Sequence, residues 1–261
     1  RFRGADLEQD LYGRDFTINA LALPATAQDA SSILDPMYGL DDLRNGLVLI
    51  VHANSISDDP IRALRAVRLM LLPGFLMTPE TEAAVRAGAL GLNQVSPERI
   101  RDELLKLITS AKPDQALSQL AKLGLLPVVL PEVAALSNVE QSPPHHEAVF
   151  EHTASVLRWL CVVEASISGD GPPDDPASAA LAELFHPYQD ELQAHLNQPV
   201  EGGLDHRDVL RLGALFHDTG KLATQTRDED GRIRFLGHDA VSATLAARRM
   251  KALAFSNEAT G

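Results

Sequence analysis

The stretch SDDPIRALRAVRL, residues 57–69, is where the chain changes character. Two aspartates and a proline stand directly before a short apolar helix pattern that carries Arg62, Arg65 and Arg68. Asp59 reads as an N-cap with Pro60 at the first helical position, where a missing N–H costs nothing. Ile61, Leu64, Val67 and Leu71 give one apolar face. The arginines recur every third residue, so at about 100° per residue they spiral slowly along one side. Two readings follow. In one, the helix is capped and its arginines pair with nearby acids. In the other, guanidinium forks wait for phosphate oxygens, and a carboxylate beside an arginine offers an acceptor and donors to a base edge.

Upstream of this stretch the pattern is mixed. RDFTINALAL (14–23) combines β-formers with an apolar run and suits either a strand or the start of a helix. Asp35-Pro36, Gly39 and Asn45-Gly46 carry turn chemistry, and LVLIV after Asn-Gly reads as a buried or edge strand. Downstream the signal is helical. Thr78-Pro79-Glu80 and Ser96-Pro97-Glu98 are helix starts with a capping hydroxyl and an early acid. PERIRDELLKLI and DQALSQLAKLGLL are amphipathic, and Gly124 closes the second. A linker is expected over 137–144, then a further helical region interrupted by SGDGPPDDPAS (168–178), a loop by composition.

Composition narrows the class. The chain has 261 residues, 45% of them apolar, which suffices for a real core in one to three domains. Aromatics make up only 5%, with Trp159 the sole tryptophan, so aliphatic side chains must do most of the packing. A single cysteine, Cys161, excludes an internal disulfide framework and a thiolate metal site, and fits a reducing cytoplasm. No apolar run is long enough for a membrane span. The net charge is −13, divided as −6 over residues 1–60, +3 over 61–122 and −10 over 123–261. Acidic flanks repel polyanions at large, so the one positive segment is either a site for selective capture of a phosphate-bearing ligand or an ordinary solvated helical face. The chain starts at Arg1 without an initiator methionine, and it reads as a fragment.

Four stretches then occur in order: EQDLYGRDFTINALAL (8–23), ILDPMYGLDDLRNG (33–46), SDDPIRALRAVRL (57–69) and SPERIRDELLKLI (96–108). Together they resemble the class II tRNA nucleotidyltransferases, the bacterial CCA-adding enzymes and their poly(A) polymerase relatives. The resemblance implies an α+β, mostly α chain. Residues 1–57 would end a polymerase-β-like nucleotidyltransferase head, 58–136 would be a helical neck that selects nucleotides and binds RNA, and 137–261 an all-α HD domain. It implies tRNA, CTP and ATP as partners. Arg14, with Asp15 and Asn19 nearby, would contact the sugar and phosphates. Asp59 and Arg62 would face the Watson–Crick edge of C or A, with Arg65 and Arg68 on the ribose and triphosphate side. Arg68 also suits a purely structural ion pair. CCA, A-only and CC-only addition and poly(A) synthesis share these motifs.

In that family the transfer uses two metal ions on paired aspartates, within a Gly-Gly motif upstream of RDFTIN. No such element precedes Arg14. The expectation is therefore Mg2+ ligands outside these residues, no catalytic residue within them, and no nucleotide addition by the 261 residues alone. Gly13 stands where the family usually has a second arginine, and Asp58 where it has glutamate.

HHEAVFEHTASVL (145–157), LGALFHDTGK (212–221) and FLGHDAVSATLAARRM (235–250) resemble the HD superfamily of metal-dependent phosphohydrolases. Imidazoles and a carboxylate suit a divalent transition metal with an open position for water. His152, His217, Asp218 and His238 are the implied ligands. Gly220 suits a turn after a helix, and Lys221 could meet a phosphate. The distal aspartate of the superfamily would fall past Gly261. His145 and His146 would lie behind the ligands or on the substrate side, and His52, His186, His195 and His206 are expected at the surface.

Overall fold

The computed structural model describes residues 6–142, 147–168 and 176–256. The order begins with α1, Leu7–Tyr12, whose cap Asp6 accepts from the Gln9 amide at 2.9 Å. The ambiguous RDFTIN stretch becomes neither a full strand nor an α-helix. Phe16 forms an isolated antiparallel bridge with Ile50, and Thr17–Asn19 is a single 3-10 turn. Asp15 is the cause: its Oδ1 accepts from the Phe16 amide at 3.0 Å and from Asn19 Nδ2 at 3.1 Å, bending the chain.

Asp35 accepts from the amides of Gly39 and Leu40 and so opens α2, Gly39–Asn45. Gly46 closes it at φ +64°, and a Cβ there would lie 2.3 Å from the Gly74 carbonyl oxygen. The expected strand follows as β1, Leu47–Val48. Next come α3, Ser55–Asp58, and α4, Arg62–Met70. Here the structure corrects the sequence reading. The helix begins at Arg62, not Pro60, and Asp59 does not cap it; the Asp59 carboxylate turns instead to Arg99, 40 residues away.

β2, Leu76–Met77, pairs in parallel with β1. The two hydroxyl-Pro-Glu starts open α5, Pro79–Gly88, and α6, Pro97–Ile108. Thr78 caps α5 through its side chain, whereas Ser96 makes no side-chain cap bond. α7, Pro113–Lys122, ends at Gly124 (φ +72°), with the Leu125 amide donating back to the Leu120 carbonyl. Leu64 and Val67 of α4, Leu104 and Leu107 of α6, and Leu117 and Leu120 of α7 bury their side chains together.

The short helices α8, Leu126–Val129, and α9, Pro131–Ala134, lead into the expected linker. Its described part, residues 137–142, is packed rather than free: Val139 is buried, and Gln141 and Ser142 accept bonds from Lys221 and Ile233. Residues 143–146, with His145 and His146, lie outside the described residues. α10, Val149–Ser168, follows; the expected loop lies mostly outside the described residues, and α11, Pro176–Phe185, begins before its end.

The remaining elements are α12, Gln189–Leu196; the hairpin β3, Pro199–Val200, and β4, Leu204–Asp205; and α13, His206–Phe216, opened by an Asp205/Asp208 capping box. Then come α14, Lys221–Thr224; the hairpin β5, Thr226–Arg227, and β6, Ile233–Arg234; and α15, His238–Ala252. Leu212, Leu215, Phe216, Met250 and Leu253 join the same buried cluster as Leu104 and Ile108, so one interior runs from Phe16 to Leu253. Arg211 crosses this join. Its guanidinium meets Glu164 of α10 and donates to the Ile108 and Ser110 carbonyls at 3.1 and 2.6 Å.

Candidate functional site

A cavity of about 480 Å³ opens between the turn after α1 and the exposed side of α4. Its lining includes Arg14, Asp15, Asn19, Asp59, Arg62, Arg65 and Arg68, every residue named as a nucleotide-binding candidate. The bend made by Asp15 carries the first three to the wall. The short lead-in through Pro60 and Ile61 carries Asp59 and α4 to the other side. Four guanidinium groups and two carboxylates line the cavity. This excess of cation suits phosphate oxygens in a chain that is otherwise strongly acidic.

Each of these groups already has a partner. Arg62, only 4% exposed, donates to the Gly13, Arg14 and Ser55 carbonyls at 2.6, 3.2 and 3.1 Å and to Ser55 Oγ at 3.0 Å. It thereby ties α4 to the turn opposite, whereas the sequence placed its donors at a base edge. Arg14 pairs with Asp10 and Arg68 with Glu103, the ion pair that the sequence allowed for Arg68. Arg65 Nη2 stands 3.0 Å from Asp15 Oδ2. That pair is close but misaligned, because Asp15 Oδ2 and Arg65 Nε are both buried without a hydrogen-bond partner. Such atoms cost free energy until something enters that can bond them.

Sequence reasoning missed the support behind the wall. Arg99 Nη2 donates to Asp59 Oδ2 at 2.8 Å, and Glu103 accepts from Arg68 Nε at 3.1 Å and Lys106 Nζ at 2.8 Å. Arg99 and Glu103 are four apart and so share one face of α6. The motif that contains them was recognised, but its spacing reads only as an amphipathic helix.

A second site gathers around Asp218. Gly220 makes it possible: a Cβ there would lie 2.2 Å from the His238 carbonyl oxygen, so only glycine lets the start of α15 come this close. His217 Nε2 is 3.2 Å and His152 Nε2 4.0 Å from Asp218 Oδ2, and His238 Nε2 is 3.4 Å from Oδ1. Three of the four predicted metal ligands therefore cluster, with His238 on the other oxygen of the same carboxylate. Ligand atoms of His152, His217 and Asp218 lie within 4.8 Å of one another. His217 Nδ1 is 2.7 Å from the Ala214 carbonyl and His238 Nδ1 is 2.8 Å from that of Phe235. A carbonyl can only accept, so Nδ1 carries the hydrogen and Nε2 is left to bind a cation.

Asp218 is buried, which alone would raise its pKa, but its contacts with His217 and Lys221 outweigh this and hold the carboxyl far below the usual range. Burial would lower His217, yet the Asp218 contact raises it above the ordinary imidazole value. Burial lowers His152. Asp218 Oδ2 is buried without a hydrogen-bond partner, and this donor set fits a divalent metal ion.

The other histidines differ from one another. His186 is exposed, as expected. His52 is not a surface residue: Tyr12 stacks on its ring at 4.9 Å, and Asp58 is 3.8 Å away. His195 and His206 face each other with ring nitrogens 3.3 Å apart.

Comparison with known proteins shows what the chain resembles along its length. Residues 2–49 match the poly A polymerase head domain, 74–136 the probable RNA and SrmB-binding site of polymerase A, and 149–260 the HD domain. The A-adding tRNA nucleotidyltransferase of Deinococcus radiodurans is 33% identical over 249 residues, 93% of this chain and 48% of the relative. The CC-adding tRNA nucleotidyltransferase of Thermus thermophilus is 33% identical over 266 residues, 97% of this chain and 49% of the relative. A multifunctional CCA protein of Xylella fastidiosa is 40% identical over 148 residues, 55% and 35% of the two chains. The chain thus spans about half the length, or less, of these relatives.

Among solved structures, a tRNA-processing enzyme in apo form superposes with a TM-score of 0.59 at 18% identity, covering all of this chain and 56% of that one. A CCA-adding enzyme in apo form gives 0.52 at 20%, covering 81% and 56%. At these identities the likeness is one of fold. No helix among the described residues is long and apolar enough to cross a membrane. With three family models in the expected order and relatives aligned along nearly its whole length, the chain belongs to the class II tRNA nucleotidyltransferase and poly(A) polymerase family and carries an HD domain in its C-terminal half.

Proposed function

We propose that this chain supplies the nucleotide-selecting pocket of a tRNA nucleotidyltransferase that adds C and A residues to the tRNA 3′ end from CTP and ATP. One observation carries the reading: a single cationic cavity takes in all seven candidate residues, with Arg65 Nε and Asp15 Oδ2 buried and unbonded in its wall. Arg14, Arg65 and Arg68 would share the triphosphate charge and the ribose. Cytosine and adenine both present an exocyclic amino group beside a ring nitrogen, so an Asp59 carboxylate accepts from either, whereas a carbonyl at that place is repelled. To reach the neighbouring ring nitrogen, Arg62 would give up one of its backbone carbonyls. Residues 1–57, 58–136 and 137–261 would then act as head, neck and HD domain, on tRNA in the cytoplasm. Magnesium would supply charge neutralisation at the transferred phosphate.

Calorimetric titration with the four nucleoside triphosphates tests this. CTP and ATP should bind, GTP and UTP should bind far more weakly, and Arg65→Ala should weaken both CTP and ATP about tenfold or more. Equal binding of all four, or no loss in Arg65→Ala, would refute the assignment.

The approach of His152, His217 and His238 to Asp218 supports a second activity, metal-dependent hydrolysis of phosphate esters on nucleotides or RNA ends. The HD donor set would hold a divalent transition metal that activates water. Phosphatase activity that survives His217→Ala would remove that reading.

A further inference from the structure

Lys221 lies inside the ring of donor groups. It is 6% exposed, and its Nζ stands 2.8 Å from Asp218 Oδ2. That oxygen is the one His217 and His152 also face, and it is the atom left without an aligned hydrogen bond. An ammonium and a divalent ion are therefore directed at the same atom. Lys221 has a second place to rest. Nζ already donates to Gln141 Oε1 at 3.0 Å and sits 5.3 Å from the centre of the Phe235 ring. Phe235 and Lys221, with Arg232, Arg234 and His238, line a groove of about 400 Å³ that opens beside the cluster.

Resting on the reading of His152, His217, Asp218 and His238 as a metal centre, we propose that Lys221 is a tethered cation that competes with the metal for Asp218. It moves onto Gln141 and the groove when an ion binds, and there it receives the phosphate of an anionic ligand. Two cations cannot share one carboxylate oxygen without repulsion, and the ion, with the His152 and His217 nitrogens beside it, has the stronger hold. Burial keeps Lys221 from escaping into water. An amide oxygen and a ring face keep it in place but do not neutralise it. A phosphate entering the groove supplies the missing countercharge. Metal and phosphate then bind with positive coupling that runs through Lys221.

The test is calorimetric titration of Mn2+ into the full chain and into Lys221→Met and Gln141→Leu. Lys221→Met should bind Mn2+ about tenfold more tightly, because its competitor is gone. Gln141→Leu should bind it a few-fold more weakly, because Lys221 is left with Asp218 alone. Inorganic phosphate should then bind the manganese-loaded wild type about tenfold more tightly than loaded Lys221→Met. Equal or weaker Mn2+ binding by Lys221→Met overturns the proposal while leaving the metal centre standing. No Mn2+ binding by the wild type or by Lys221→Met removes the metal centre and the proposal together. Circular dichroism establishes whether the buried-site variant folds. If it does not, the half-exposed Gln141→Leu decides, and unchanged or tighter Mn2+ binding there overturns the proposal.

Discussion

Replacing Arg211 by alanine removes one guanidinium and strands three other groups. Glu164 loses its buried partner, and the carbonyls of Ile108 and Ser110 each lose a donor. Both side chains are nearly inaccessible, 8% and 5% exposed, so screening by solvent is slight. Breaking a buried ion pair from one side costs about 3–5 kcal/mol, because an uncompensated charge is left behind. For a chain of this size that corresponds to a fall in melting temperature of roughly 10 °C. The double variant Glu164→Leu/Arg211→Met replaces the pair with apolar groups of similar bulk. It should lie within about 2 kcal/mol of the wild type, more stable than the single variant. Urea unfolding followed by far-ultraviolet circular dichroism measures all three proteins. A single variant that loses less than about 1 kcal/mol, or a double variant no better than the single, would refute the desolvation reasoning.

Gly220→Ala should destabilise the chain by about 3 kcal/mol or more and abolish Mn2+ binding, since its Cβ would meet the His238 carbonyl oxygen at 2.2 Å and the Ser242 amide at 2.8 Å. Thermal melting and metal titration report the two effects. Tyr38→Gly should not destabilise: Tyr38 holds φ +56° and is 77% exposed, so glycine relieves about 1 kcal/mol of left-handed strain and loses almost no packing. A fall in melting temperature of several degrees would contradict this. Arg99→Ala should change stability by less than about 1 kcal/mol, because the Asp59 pair is partly exposed, yet alter the ratio of CTP to ATP affinity. An unchanged ratio in calorimetry would separate Arg99 from the pocket.

The parts of this structure that follow from neighbouring residues were legible in the sequence. Thr78-Pro79 and Ser96-Pro97 mark real helix starts, and Gly124 marks a real helix end, because the Thr78 cap, a proline at the first helical position and a left-handed closure are each set within a few positions. The pocket residues were legible because four motifs occur in order. What escaped depends on partners far along the chain. Asp59 has the composition of a cap, but a charged donor 40 residues away outcompetes an amide. Arg62 and Arg65 look alike in the helix pattern, yet only Arg62 faces the carbonyls of the turn opposite. The stretch after Ser137 has loop composition, but Val139 is buried and Gln141 finds Lys221 80 residues on. Periodicity cannot register such meetings, since they belong to the folded arrangement.

Helix α6 has a consequence that goes beyond packing. At 1.5 Å per residue, its twelve residues form a strut about 18 Å long. Arg99 near one end and Glu103 at the middle brace Asp59 and Arg68; at the other end, Ile108 offers its carbonyl to Arg211. The strut has no proline or glycine inside it to serve as a joint. Re-seating its far end against α13 therefore moves the mounting of two groups that face the nucleotide cavity.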